Sequence, residues 1–77
     1  MPQILSPLPG TFYRSAAPGQ PPLKADGDDV AIGDVIGLIE VMKSFHEVKA
    51  EVAGSGISFL VDNEDPVMAG ATLADVG

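Results

Sequence analysis

Lys43 is the residue of this sequence whose position best suits it to take part in chemistry. It follows Met42 where two strand-like runs meet, with aliphatic and β-branched residues before the pair and alternating apolar and charged residues after it. This pattern predicts a β-hairpin with Lys43 at its tip. A lysine displayed in this way is better suited to being modified by another protein than to catalysing a reaction itself.

The sequence provides no catalytic neighbours for this lysine. It contains no cysteine and a single histidine, His46, so neither a thiol nucleophile nor a pair of histidine ligands for a metal is available. The acidic groups at 26–29 and 62–65 lack the spacing of a calcium-binding loop, and we interpret them as solvated turns. We therefore expect a protein that is not an enzyme and holds no metal.

Length and charge restrict the class of protein further. The 77 residues suffice for one small domain, and four basic against eleven acidic residues give a net charge of −7. This charge repels nucleic acids and anionic membranes, so we expect neither as a partner. No apolar run approaches the roughly 18–20 residues that span a bilayer, and the absence of cysteine is typical of a reducing compartment. These features predict a soluble, cytoplasmic protein.

Nine glycines and seven prolines, without a long amphipathic segment, favour an all-β fold of short strands joined by tight turns. The alternation over 45–52 places Val48, Ala50 and Val52 on the core side. The segment 15–22 contains three prolines and no large apolar side chain, and it predicts a loop. The predicted extended segments are 4–6, 11–14, 30–34, 35–39, 45–52, 57–61 and 72–76.

A weak internal repeat relates the two halves of the chain. Residues 4–10 match 48–54 in their order of apolar, small and glycine residues, and 28–36 match 65–73 in the same sense. The repeat predicts two four-stranded antiparallel sheets related by approximate two-fold symmetry and packed as a flattened barrel or sandwich. Lys43 falls in the connection between the halves, where a hairpin projects from one end of the body.

Several segments resemble one known family. Residues 6–14, the turn 30–34, the tetrapeptide Glu40-Val41-Met42-Lys43, and 47–51 followed by Gly54 are similar to the biotinyl/lipoyl carrier domains, and in particular to their biotin branch. The resemblance covers nearly the whole chain and implies one carrier domain over 1–77 with the barrel-sandwich fold of that family.

By this resemblance, Lys43 is the site at which biotin is covalently attached. Val41, Met42 and Ser44 are then the neighbours through which a biotin protein ligase recognises the hairpin. The loop 15–22 lies where some biotin carriers have a short protruding loop called a thumb. The further partners implied are a biotin carboxylase and a carboxyltransferase, between which the domain carries carboxyl groups in an acyl-CoA carboxylase, with acetyl-CoA as the expected acceptor.

Two alternatives stay open at this point. The biotin branch usually has Met or Leu directly after the lysine, whereas this chain has Ser44, followed by Phe45. Lipoyl domains usually have Asp-Lys-Ala at the tip, and Met42 favours the biotin branch over them. The alternatives are a lipoyl carrier, with lipoate on Lys43, serving a 2-oxoacid dehydrogenase or the glycine cleavage system, and an unmodified binding or assembly module.

Overall fold

The computed structural model describes residues 2–17 and 19–77, and within these ranges the chain forms only strands, turns and irregular segments. The all-β class predicted from the sequence is confirmed. The described part of the chain has no helix suited to crossing a membrane. Pro18, which belongs to the predicted loop 15–22, lies outside the described residues, as does Met1. The strands are β1 (Gln3–Leu5), β2 (Gly10–Tyr13), β3 (Asp29–Val30), β4 (Val35–Val41), β5 (Ser44–Lys49), β6 (Gly54–Ser55), β7 (Ile57–Phe59), β8 (Asp65–Val67) and β9 (Thr72–Val76).

The strands form two antiparallel layers. One layer is a four-stranded sheet in the order β5-β4-β2-β8. The other consists of a three-stranded sheet, β1-β9-β7, and a two-stranded sheet, β3-β6. Gly56 separates β6 from β7 with a φ of 92°, a conformation that glycine adopts without steric cost. The predicted second sheet is therefore bent into two pieces, which the hydrogen bond from Ile57 N to Asp28 O (2.9 Å) links across the bend.

Backbone hydrogen bonds confirm the predicted repeat. The turn 31–34 exchanges two hydrogen bonds of 2.8 Å with Ala50, and the turn 68–71 exchanges two hydrogen bonds of 2.8 Å with Ser6. Ser6 and Ala50 are the third residues of the two matching segments found in the sequence. The pairing of β4 with β5 and that of β9 with β1 each include an irregularity in register, at corresponding positions. The two halves thus repeat one hydrogen-bonding plan.

The core lies between the layers and receives side chains from both. Val48 and Ala50 are buried as predicted, and Val52 is partly buried against the same cluster. Strand β5 ends at Lys49 and does not reach Val52, because the backbone of Ala50 bonds the turn 31–34 and leaves the ladder with β4. The largest fully buried side chains are those of Phe12, Ile36, Ile39, Val48, Ile57, Leu73 and Val76.

Candidate functional site

Lys43 lies at the tip of the β4–β5 hairpin. The ladder between these strands ends with the pair Val41 and Ser44, which leaves a two-residue turn of Met42 and Lys43. Both turn residues have positive φ, 51° and 67°, as a type I′ turn requires. This turn matches the twist of the strands, but a non-glycine residue in the left-handed region costs roughly 1–2 kcal/mol. The hairpin therefore holds a locally unfavourable backbone at the residue that the sequence singles out.

The side chains at the tip face solvent. Lys43 is exposed, and Met42 is 94% exposed. The ion pairs among the described residues use the other basic side chains, those of Arg14, Lys24 and Lys49. Within the same part of the chain, Lys43 has neither a carboxylate partner nor a side-chain hydrogen bond. Its amine is therefore open to an enzyme that approaches from solution.

The two strands hold the tip on a fixed base. Ile39 of β4 is fully buried, and Val41 is half-buried against the core cluster, whereas Ser44 is exposed. Gly10 of β2 lies so close to β4 that a Cβ atom there would be 2.8 Å from the Ile39 side chain and 3.0 Å from that of Val41. This close packing fixes the direction in which the hairpin leaves the body.

Tyr13 of β2 contacts both strands of the hairpin. Its hydroxyl donates a hydrogen bond of 2.9 Å to Glu40 Oε1 on β4. Its ring packs against that of Phe45 on β5, with centroids 5.9 Å apart and planes tilted by 55°. The hydrogen bond to Glu40 raises the pKa of the Tyr13 phenol above its usual value of 10.0, and partial burial and the charges of Glu40 and Glu64 act in the same direction.

The loop 15–22 closes on itself beside Tyr13. Ser15 pairs with Pro22 across the base of the loop, and Leu23 N donates a hydrogen bond of 2.8 Å to Arg14 O. A cavity of about 170 Å³ lies between this loop and the turn of Asn63 and Glu64. Its described residues beyond Ser15 are exposed, so the loop is a surface feature attached at both ends.

The remaining polar candidates do not gather around the lysine. His46 lies on β5, is exposed, and joins no group of potential metal ligands among the described residues. In the two acidic segments, Asp28 and Asp65 accept hydrogen bonds from backbone N–H groups of their own turns, as expected of solvated turns. The cluster of Tyr13, Glu40 and Phe45 was not predicted from the sequence, because Tyr13 lies 27 positions before Glu40 and no local pattern links the two.

Comparisons with known proteins agree with this geometry. A family model described as biotin-requiring enzyme matches residues 2–76. The chain is 42% identical over 66 residues to the biotin carboxyl carrier protein of acetyl-CoA carboxylase 2, chloroplastic, of Arabidopsis thaliana, a match that covers 86% of this chain and 26% of the relative.

Two bacterial relatives have similar descriptions. The biotin carboxyl carrier protein of acetyl-CoA carboxylase from Nostoc is 42% identical, over 84% of this chain and 36% of the relative. The protein of the same name from Chlamydia pneumoniae is 43% identical, over 91% of this chain and 42% of the relative. This chain thus spans between about a quarter and two-fifths of these relatives. The chain belongs to the biotin-requiring enzyme family, in which these curated relatives are biotin carrier proteins.

Proposed function

We propose that this chain is a biotin carrier domain of an acetyl-CoA carboxylase and that biotin is attached covalently to Lys43. The observation that carries the proposal is an exposed lysine, without a carboxylate partner among the described residues, at the apex of a two-residue turn. The family membership and the names of the relatives support biotin as the attached group.

Attachment needs an amine that another enzyme can reach and deprotonate. Lysine amines are protonated in water at neutral pH, and among the described residues no carboxylate lies within ion-pair distance of Lys43. The modifying ligase therefore supplies the base. We infer that Val41, Met42 and Ser44 form the surface this ligase recognises, since they flank the lysine and two of them are exposed. Amide formation removes the ammonium charge and lengthens the arm.

The body of the domain supplies position and reach. Tethering a reactive group to a small domain turns each delivery step into an encounter at an effective concentration that reaches the millimolar range. When attached, biotin supplies a ring that accepts a carboxyl group and later releases it. We propose a biotin carboxylase and a carboxyltransferase as the partners at these two steps, with acetyl-CoA as the final acceptor. The carrier itself contributes no catalytic group.

We also propose that the loop 15–22 is the counterpart of the thumb of some biotin carriers. The pairing of Ser15 with Pro22 supports this assignment, because it makes the segment a closed protrusion and not a linker between two bodies. Its cavity borders Tyr13, which in turn contacts the hairpin.

The test of the attachment site is intact mass after coexpression with a biotin protein ligase and an excess of biotin. We expect the wild-type chain to gain one biotinyl group and Lys43→Arg to gain none. Lys49→Arg is the matched control, because Lys49 is also an exposed lysine on the hairpin strands, and it should be labelled like the wild type.

Other outcomes of the same measurement contradict the proposal. Labelling that survives Lys43→Arg rejects the site. A mass gain of one lipoyl group after expression with a lipoate-attaching enzyme, without a gain from the biotin ligase, identifies a lipoyl carrier. A chain that gains neither group is an unmodified binding or assembly module.

A further inference from the structure

The side chain of Tyr13, on β2, contacts both Glu40 and Phe45. Glu40 and Phe45 are opposite each other in the β4–β5 ladder, and they form the second pair below the turn. The Tyr13 hydroxyl lies 2.9 Å from the carboxylate of Glu40, and its ring lies 5.9 Å from that of Phe45. One side chain from a third strand therefore joins the two hairpin strands directly beneath Lys43.

The contact with Tyr13 restrains the side chains of Glu40 and Phe45. Among the side-chain hydrogen bonds of the described residues, the one from Tyr13 is the only bond to the Glu40 carboxylate. Phe45 is 58% exposed, so much of its surface is free of protein packing. Long side chains near the surface populate several rotamers unless a contact selects one, and ordering them upon binding has an entropic cost.

We propose that Tyr13 is a positioning residue for the modification of Lys43. Its hydroxyl fixes Glu40 and its ring fixes Phe45, so that the modifying ligase meets a surface that is already ordered next to the lysine. This role rests on the proposed function, since it concerns the ligase that acts on Lys43. Among the described residues, no hydrogen bond or cation–π contact joins Tyr13 to Lys43.

The expected effect is on binding of the carrier by the ligase. Tyr13→Phe retains the ring but removes the hydrogen bond to Glu40. A net hydrogen-bond contribution of usual size predicts a KM for the carrier about two- to tenfold higher, with kcat unchanged. Gln3→Met is the control, because it also removes a hydrogen bond from a side chain to a carboxylate, the exposed one from Gln3 Nε2 to Asp75 Oδ1 (3.1 Å), on the β1–β9 pair away from the hairpin. Its KM should equal that of the wild type.

A double-mutant cycle separates this role from a general loss of structure. Glu40→Met removes the carboxylate itself and should raise KM at least as much as Tyr13→Phe does, whereas the double variant should be no worse than Glu40→Met alone. The protein has a single tyrosine and no tryptophan, so its absorbance titration reports Tyr13 directly. The phenol should titrate above its usual range in the wild type and at lower pH in Glu40→Met.

Two results overturn the inference. One is that the wild type is biotinylated and Tyr13→Phe has the same KM as the wild type. The other is additive effects of Tyr13→Phe and Glu40→Met, which would mean that the two residues act separately. A wild type that acquires no biotin rejects the proposed function instead, and the positioning role with it, so the two failures are distinguishable.

Discussion

Two ends of the molecule share one pattern of strand pairing but differ in the residues that join the strands. One is the hairpin end, formed by β4 and β5, and the other is the end formed by β1 and β9. Val48 of β5 pairs with Gly37 of β4, and Ile4 of β1 pairs with Ala74 of β9 at the corresponding position. At the first end the two strands are joined by the turn that carries Lys43. At the second end they are held by a backbone hydrogen bond from Val76 N to Pro2 O (2.8 Å).

The comparison shows that the candidate site differs from the corresponding end of the molecule by only a few residues. The position that corresponds to Tyr13 in the second half is Ser58, which is opposite Asp75 as Tyr13 is opposite Leu38. Serine has no aromatic ring with which to join two strands. The hairpin end thus differs by a strained turn, an exposed lysine and the cluster of Tyr13, Glu40 and Phe45, whereas the strands beneath are common to both ends.

The largest expected effect is a loss of stability from a substitution at Gly37, which we compare with a substitution at the corresponding residue, Ala74. A Cβ atom at Gly37 would lie 2.6 Å from the Phe12 ring and 2.7 Å from Tyr13 O, both in the fully packed part of the hairpin half. We expect Gly37→Ala to lower the free energy of unfolding by about 3 kcal/mol, because neither the ring nor the backbone can withdraw. Urea denaturation measures the change.

The matched control for this substitution is the reverse exchange in the other half. Ala74 is fully buried and already carries a Cβ, so Ala74→Gly should cost about 1–2 kcal/mol, through one lost methyl group and a more flexible backbone. Equal losses for the two variants would show that the halves are packed alike. The proposed difference between them would then be wrong.

The second prediction concerns the turn that carries Lys43. Met42→Asn should stabilise the fold by about 0.5–1 kcal/mol, because asparagine tolerates positive φ better than methionine does. In a domain of this size, this corresponds to a rise in Tm of a few degrees. The same substitution should slow biotinylation, since it removes an exposed side chain next to Lys43.

Thermal unfolding and ligase kinetics on the same samples test both parts of this prediction. Met68→Asn is a suitable control, because Met68 is an exposed methionine in a turn but has no positive φ, so the same substitution there should not raise Tm. A Met42→Asn protein with an unchanged or lower Tm would mean that methionine is not strained at this position.

Much of the fold was predictable from the sequence, because local patterns determine it. The alternation after Lys43, the turn residues and the short repeat predicted the hairpin, the two layers and the last strand, which runs from Thr72 to Val76 as expected. The end of β5 at Lys49 was not predictable, because it depends on a hydrogen bond between Ala50 and a turn far away in sequence.

Local sequence patterns predicted where Lys43 lies in the candidate site, but they did not predict the contacts between residues that are far apart in the chain. The pattern indicated that Lys43 lies at a tip, but Met-Lys is not a residue pair that favours positive φ, so the strained turn had no local signal. The contact of Tyr13 with Glu40 requires the pairing of β2 with β4, which no periodicity specifies. Attachment of biotin to Lys43 stays a prediction until the mass is measured.

The smallest expected effect is a change in how stability depends on pH, and it comes from a difference between the corresponding turns 31–34 and 68–71. In both turns the last residue donates a backbone hydrogen bond of 3.0 Å to the first, from Asp34 N to Ala31 O and from Ala71 N to Met68 O. Only the first turn adds a titratable group. Asp34 Oδ2 accepts a hydrogen bond of 2.9 Å from Ala31 N and lies 3.1 Å from Lys24 Nζ.

These contacts make the stability of the first turn depend on pH. The hydrogen bond from Ala31 N, followed by that from Lys24, lowers the pKa of Asp34 below its ordinary value of 3.8 in the folded protein. The unfolded chain therefore binds the proton first. The stabilisation is complete above pH 3.8 and is lost as the pH falls through the lower, folded pKa.

Asp34→Asn retains an acceptor for Ala31 N but cannot titrate. Denaturation followed from about pH 5 to about pH 2 should thus show a shallower loss of stability for this variant than for the wild type. If stability falls equally steeply with pH in the wild type and in Asp34→Asn, the Asp34 carboxylate does not stabilise its turn more than Ala71 stabilises the corresponding one.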